Sequence, residues 1–407
     1  MKRSPLVSIF LIILIDILGF TIILPLLPFY AEHYGATPLV VGWLLASFGI
    51  CQLIAGPILG QISDRVGRKP VLMVSQVGTL AGFLILAFST SLFPIFISRV
   101  IDGLTAGNIS VAQAYISDVT EPEKRAKSFG LIGIAFGFGF LVGPALAGFL
   151  AQFGPQYPIF AAAGLSAMSV VTTGVLLPSP NEEAARTGQT APADGKASPN
   201  DPLGWKSTLD LLREPSLGYL LWQFLTFISA FGIFFSGFAL FAERRYTHHG
   251  VPFGAKEVGY VMAYVGLLGM IVQGALIDPL VKRFGEWRLT QAGFVLMAGG
   301  FFYLGWTFDL FPLLIAVSIA FTGMSVLRPS LTSLITQKAG PQRQGTALGL
   351  TQSFIALSQV LMPFVSGLLI QHRLLTIWAW TGALASLGGL FFRDSRQKSG
   401  VVYAASR

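Results

Sequence analysis

Charge is scarce in this chain. Of its 407 residues only 27 are Lys or Arg and 19 are Asp or Glu, 11% together. Soluble domains carry about 25% charged residues, so this composition does not clothe a water-facing surface. It excludes a cytosolic enzyme, a nucleic-acid binder and a disordered scaffold. Cysteine is almost absent. Cys51 stands alone inside an apolar run, which excludes an intrachain disulfide and a Cys-based metal site. The four histidines (His33, His248, His249, His372) fall in short polar breaks, so no buried His constellation is expected. What the chain has is apolar surface: 53% hydrophobic residues and a mean hydropathy of +0.68.

A membrane helix needs about 20 mostly apolar residues. Twelve such runs are found: 6–31, 39–62, 70–89, 92–117, 127–150, 157–177, 216–243, 256–281, 289–307, 310–336, 344–370 and 374–392. They are continuous, whereas a membrane β-barrel alternates apolar and polar residues in short strands. The first run is too long for a signal peptide and contains Asp16. The breaks orient the chain. With the N-terminus in the cytoplasm, 21 Lys and Arg fall on the cytoplasmic side and 4 on the other. This positive-inside bias predicts two cytoplasmic termini. It also accounts for the net charge of +8 without nucleic acid.

The longest polar stretch, 178–215, is rich in Pro, Ala, Gly and charge and reads as a flexible cytoplasmic linker. It separates 1–177 from 216–407, each with six spans. The halves repeat. Gly60…Asp64…Gly67 after the second span matches Gly274…Asp278…Arg283…Gly285 after the eighth. Pro122…Arg125…Gly130 matches Pro341…Arg343…Gly349, and Pro144 with Gly148 matches Pro363 with Gly367. The expected fold is an all-α membrane protein of twelve transmembrane helices in two pseudo-symmetric six-helix bundles. Two such bundles can rock about a midplane site.

Chemistry concentrates at few positions. Of the nineteen acids, only Asp16 and Asp102 lie well inside spans, with Asp118 at a span end. Ionisable groups in lipid are costly and mark pathways. Asp16 is about ten residues into the first span, roughly 15 Å deep and near mid-bilayer. Arg99 and Asp102 are at i, i+3 on one helix face and can pair. Arg328 is the only charge well inside the second half's spans, with no acid there placed to neutralise it. It must meet a first-half carboxylate, carbonyls, water or an anionic substrate. Gln113, Gln273, Gln291 and Gln359 are uncharged polar groups inside spans, open to either cavity lining or helix bonding. Phe231, Phe234 and Phe235 in the seventh span are candidate apolar contacts for a ligand. At the second cytoplasmic turn, Asp64 is followed by Arg65, Gly67, Arg68 and Lys69. Asp64 can pair with Arg68 or with Arg125 of the next loop, forming a latch, and Asp278 with Arg283 would be its second copy.

The loop Gly60-Gln61-Ile62-Ser63-Asp64-Arg65-Val66-Gly67-Arg68-Lys69 resembles the signature loop of the major facilitator superfamily. The resemblance extends over nearly the whole chain. Arg99…Asp102-Gly103…Gly107 is similar to the superfamily's helix-4 arginine motif. Gly139, Gly143, Pro144 and Gly148 in the fifth span resemble the helix-5 motif of its antiporters, where the resemblance implies a bend that limits leak. Asp16…Gly19…Pro25…Pro28 and Ala114-Tyr115-Ile116-Ser117-Asp118 resemble the tetracycline/proton antiporter branch. The stretches matching that branch's membrane His and Asp, 266–271 and 293–298, contain neither. Tetracycline is therefore not the expected substrate, and a proton route is expected through the first half.

The expectation is a proton-coupled secondary transporter of a bacterial inner membrane, exporting amphipathic or drug-like molecules. A proton crossing roughly 150 mV releases about 3.5 kcal/mol, enough for a concentration ratio near 300. Asp16, Arg99 and Asp102 are the expected proton-coupling residues. Gln113, Phe231, Phe234, Gln273 and Arg328 are expected in the substrate cavity. Gly60, Asp64, Arg65, Gly67, Arg68, Asp118, Arg125, Asp278 and Arg283 are expected in gating. No cofactor is expected beyond the proton; the partners are a small-molecule substrate and lipid, with the chain a monomer. The rival within the class is an uptake transporter or lipid translocator, with Arg328 holding an anionic headgroup. An enzyme would need a nucleophile or metal set converging within the spans, and a receptor a large extramembrane domain. The sequence offers neither.

Overall fold

Long apolar runs with few breakers satisfy their backbone groups internally, and helix is what forms. In the computed structural model, which describes residues 5–120, 125–177, 211–212, 214, 216–340 and 343–392, all twelve expected runs are helical. They are α1 (Pro5–His33), α2 (Pro38–Val66), α3 (Arg68–Ala87), α4 (Leu92–Leu104) with α5 (Asn108–Val119), α6 (Arg125–Ala151) and α7 (Tyr157–Leu176). Then follow α8 (Gly218–Arg245), a hairpin of β1 (Thr247–His248) and β2 (Val251–Pro252), α9 (Ala255–Ile271), α10 (Ile277–Phe284), α11 (Glu286–Leu304), α12 (Leu310–Ala339), α13 (Gln344–Gln371) and α14 (Leu375–Phe391). Among the described residues, ten spans are long and apolar enough to cross a membrane, and α14 is a shorter apolar helix. The ninth expected span is the 19-residue α11. The expected linker lies almost wholly outside the described residues.

Two spans differ from the continuous helices expected. The fourth is interrupted at 105–107, so 92–117 is two helices, α4 and α5. The interruption lets backbones close in. A Cβ on Gly103 would lie 2.7 Å from the Phe48 carbonyl, and one on Gly107 2.9 Å from Leu59 and Ser75. The eighth span widens into a π-turn at Val272–Leu276 between α9 and α10. Such turns are found disproportionately at functional places.

The sharp turns after α2 and α10 use Gly67 (φ 94°) and Gly285 (φ 77°), a region L side chains rarely adopt. These two glycines occupy matching places in the repeat. The main core spans both halves, and its densest part is aromatic. Phe234 stacks on Phe238 at 4.6 Å and meets Phe321 edge-on at 4.7 Å. Phe241 stacks on Trp378 at 4.5 Å.

The halves meet along two seams, α2 with α13 and α6 with α9. Both rest on glycine. A Cβ on Gly42 would lie 2.5 Å from the Pro363 carbonyl oxygen, and one on Gly259 2.6 Å from that of Pro144. The second contact is the first carried through the repeat. Further along the same helix faces, Gly56 and Gly60 of α2, Gly133 and Gly137 of α6, Gly274 beyond α9 and Gly349 of α13 have no heavy atom near a built Cβ. The halves therefore touch at the end remote from the basic loops and diverge toward the basic end.

Candidate functional site

The charges buried in the first half form one cluster. Asp16, half-buried on α1, accepts a hydrogen bond from Gln76 Nε2 of α3 at 3.3 Å. Gln76 is fully buried and also donates to Ser169 Oγ of α7 at 2.8 Å. The side chains of Ser169 and Asn108 reach Asp16 as well. Three helices, α3, α5 and α7, thus supply its shell. Asn108 is the first residue of α5, so the break in the fourth span delivers this group. Next to the shell, Arg99 and Asp102 form an ion pair at 3.2 Å, each 4% exposed. Thr79 hydrogen-bonds Asp102, and the Arg99 guanidinium lies 5.8 Å from the centre of the Phe83 ring. Among the described residues, Arg99 Nη2, Gln76 Oε1 and Asn108 Oδ1 are buried without hydrogen-bond partners. Polar capacity is therefore left over where two carboxylates and a guanidinium gather.

Arg328 of α12 is exposed and faces the other half, its guanidinium 5.7 Å from the centre of the Phe136 ring of α6. Among the described residues it has no carboxylate partner. Phe231 is half-buried and packs on Phe235 at 4.3 Å, and Phe235 reaches Phe140 of the first half. Phe234 does not line a cavity. It is 1% exposed, enclosed by Phe238, Phe301 and Phe321, and belongs to the core. The run of aromatic residues in α8 covers more than one helix face, which composition alone does not separate. Gln113 is half-buried, Gln273 is exposed on the π-turn, and Gln359 packs against Gly49 in a seam.

At the basic end Arg68 ties two helices. It forms an ion pair with Asp64 at the end of α2, donates from Nε to Asp118 Oδ2 of α5 at 2.8 Å and from Nη1 to Ser63 Oγ at 2.7 Å. Lys69 donates to the carbonyls of Gly174, in the last turn of α7, and of Leu177, just past it, at 2.8 and 2.6 Å. Arg65 is exposed, Gly60 faces open space, and the side chain of Arg125 lies outside the described residues. The expected second latch is not formed. Asp278 and Arg283 are exposed without an ion pair among the described residues, and Arg283 lies over the Phe284 ring at 5.3 Å. The tie there uses different chemistry. Glu286, which follows Gly285 as Arg68 follows Gly67, accepts from Ser333 Oγ at 2.6 Å and Gln337 Nε2 at 2.8 Å. An Arg–Asp bridge in one half is a Glu–Gln hydrogen bond in the other. Glu214 accepts from Arg343 Nη1 at 2.6 Å, and this bond holds its carboxyl below the usual carboxylate range.

The helix-5 glycines of α6 face two neighbours. Gly139 and Gly143 press on Ile17 and Thr21 of α1, and Thr21 Oγ1 donates to the Gly139 carbonyl at 2.9 Å. Gly148 faces α9, where a Cβ would lie 2.8 Å from the Lys256 carbonyl. Pro144 sits between them and gives its carbonyl to the Gly259 seam.

A family model, the Major Facilitator Superfamily, matches residues 9–363. The chain belongs to this superfamily. The class B tetracycline resistance protein of Escherichia coli is 28% identical over 384 residues, covering 92% of this chain and 91% of the relative. Multidrug resistance protein 2 of Bacillus subtilis is 27% identical, covering 89% and 88%. The crystal structure of the human organic anion transporter MFSD10 (TETRAN) superposes with a TM-score of 0.67 at 25% identity, covering 95% and 99%.

The chain is thus a multi-pass membrane transporter of the superfamily, and its relatives are transporters rather than enzymes. Within that frame, Gln76, Thr79, Asn108 and Ser169 are the site residues that sequence reasoning passed over. A signal for Gln76 was present: it is an amide in the middle of an apolar span, as informative as the glutamines that were noted. Asn108 gave none, because its place depends on the helix break before it.

Proposed function

We propose that the chain is a proton-coupled secondary transporter that exports amphipathic or drug-like small molecules by alternating access. It would sit in a bacterial inner membrane with both termini cytoplasmic, and 1–177 and 216–407 would be the rocking units about the 178–215 linker. The proton is the coupling ion. The observation that carries this reading is the shell of Asp16. A carboxylate near mid-span, half-buried and held by Gln76, Ser169 and Asn108 beside the Arg99–Asp102 pair, has what proton binding needs: partial desolvation and adaptable polar partners. The tetracycline and multidrug resistance relatives from Escherichia coli and Bacillus subtilis support export, and the basic end, where the halves diverge, supports substrate entry from the cytoplasm. The test uses purified protein in proteoliposomes with a panel of fluorescent cations and anions. A pH gradient should drive uphill transport, and an uncoupler should abolish it. Asp16→Asn should lose uphill transport and keep substrate exchange. Uphill transport at wild-type rates in Asp16→Asn would refute the assignment.

Arg328 favours a second reading, transport of organic anions. It faces the first half without a carboxylate partner, and a solved transporter at 25% identity is described as an organic anion transporter. The same panel separates the readings by the sign of the substrate accepted.

A further inference from the structure

The end remote from the basic loops carries a second charged cluster, and it bridges the halves. Glu32 is in the last turn of α1; Glu243 and Arg244 are in the last turn of α8. Arg244 Nη2 donates to Glu32 Oε1 at 2.5 Å and Nη1 donates to Glu243 Oε2 at 2.7 Å. Nη1 also reaches the Leu240 carbonyl at 3.2 Å, which fixes the guanidinium against its own helix. The two carboxyl groups are in hydrogen-bonding contact with each other. Among the described residues, Glu32–Arg244 is the one ion pair between the first half and the second. Its side chains are 16% and 28% exposed, so bulk water screens it only in part.

The arithmetic of charge decides what this cluster holds. Two ionised carboxylates against one guanidinium leave a net negative charge at a carboxyl–carboxyl contact, which is repulsive. With one shared proton the contact becomes a hydrogen bond and the cluster is neutral. Among the described residues, no other charge replaces that proton, and only Glu32 and Arg244 act electrostatically on Glu243. His33, the neighbour on α1, packs its ring on Tyr34 at 5.1 Å. Arg245, the neighbour on α8, turns to the Gly305 carbonyl and Thr376. From α9, Glu257 is occupied with the Gly254 backbone, and among the described residues Lys256 forms no ion pair with either carboxylate.

We propose that Glu32 and Glu243 form a proton-binding site at the end remote from the basic loops, separate from Asp16, and that proton occupancy there holds the two halves closed. The ligand is a proton from the compartment this end faces. Binding adds it to one carboxylate and breaks no bond. When α1 and α8 part, each carboxylate regains water and the proton leaves. Acid on this side therefore favours closure. The inference does not rest on Asp16 carrying the coupling proton.

The test measures the gap directly. In a Cys51→Ser background, Ser91→Cys on the first half and Thr247→Cys on the second, both exposed at this end, carry spin labels. Their distance is measured by pulsed electron resonance from pH 8 to pH 5, with and without Asp16→Asn. One linked proton changes the closed-to-open ratio by up to about tenfold per pH unit. The short-distance population should rise on acidification and keep rising in the Asp16→Asn protein. Glu243→Gln keeps a hydrogen-bonding amide but nothing to titrate, so its short-distance population should be high and independent of pH. A flat response in the unsubstituted protein overturns the proposal, whether or not Glu243→Gln can be purified. So does a Glu243→Gln response that tracks pH as the parent does. Loss of the pH response in Asp16→Asn alone would assign it to the midspan carboxylate and also overturn the proposal.

Discussion

Replacing Gly259 by Ala should open the end of the molecule at which the halves now meet. The added Cβ would sit 2.6 Å from the Pro144 carbonyl oxygen and 2.9 Å from Gly148, where ordinary contact begins at 3.4 Å. Both obstacles are backbone, so neither can rotate away, and the helices must part by about 0.8 Å to admit the methyl group. Overpacking of this kind costs about 1–3 kcal/mol. The cost applies only while the seam is closed, so the closed-to-open ratio should fall by roughly 5- to 150-fold. Helix propensity favours Ala by about 1 kcal/mol, but equally in every state, and cancels from the ratio. Gly42→Ala should act in the same direction, since its Cβ would lie 2.5 Å from the Pro363 carbonyl oxygen. The seams use different helices, so the double variant should shift the equilibrium by the product of the single effects. Gly137→Ala is the control, because nothing lies within 4 Å of its built Cβ. The assay is the label distance between the two halves at this end. Opposite shifts for Gly42→Ala and Gly259→Ala, or an equal shift for Gly137→Ala, would refute the repeated-seam argument.

Three further outcomes are expected. Phe234→Ala should destabilise the protein by about 3–5 kcal/mol, because a fully enclosed aromatic ring is removed; a thermal melt checks this, and a selective change of substrate range at unchanged stability would contradict it. Asp64→Asn should lower turnover far more than affinity, since Asp64 lies at the basic end, paired with Arg68 and 62% exposed, away from the midspan cluster; rates and binding constants for one substrate separate the two effects. Arg328→Ala should lose anionic substrates and keep cationic ones with an unchanged pH optimum, since Asp102 is already paired with Arg99 and Asp16 is held by Gln76; an equal loss for both signs with a shifted optimum would assign Arg328 to the first-half carboxylates.

How much of this was legible in the sequence depends on the range of the interaction. Span count follows from local hydropathy, because lipid forces each apolar run to satisfy its own backbone. Asp16, Arg99 and Asp102 were legible for the related reason that ionised groups inside spans are rare. The pairing of Arg68 with Asp118 was not, since it joins residues fifty apart and depends on how α3 and α5 lie together. Phe234 failed for another reason. Helix α8 is apolar on all sides, so no face is distinguished until neighbours are known. The break at 105–107 escaped because Thr105, Ala106 and Gly107 contain no proline and only one strong breaker. It is the approach of α2 and α3 to Gly103 and Gly107 that favours it.

The two ends of the molecule are tied by different means, and the difference bears on how the halves move. At the basic end no ion pair among the described residues joins the two halves: Arg68 pairs with Asp64 and Asp118 inside the first, and Arg343 of the second pairs with Glu214 at the end of the linker. At the remote end Glu32–Arg244 crosses between halves, and the two glycine seams lie toward that side. Ties within a half make it move as a body; ties between halves decide which end is shut. Closing the basic end would need interactions that replace the seams and the Glu32 bridge. Among the described residues, the exposed groups there with no ion pair are Arg65 in one half and Asp278, Lys282, Arg283, Arg288 and Lys338 in the other, so cations predominate on both sides and Asp278 is the one acid among them. The repeat thus keeps the position of the latch while changing its charge at one place: Arg68 is matched by Glu286. Two loops in which cations outnumber acids repel on approach. The substitution of Glu286 removes part of that repulsion at the end where the halves are now apart.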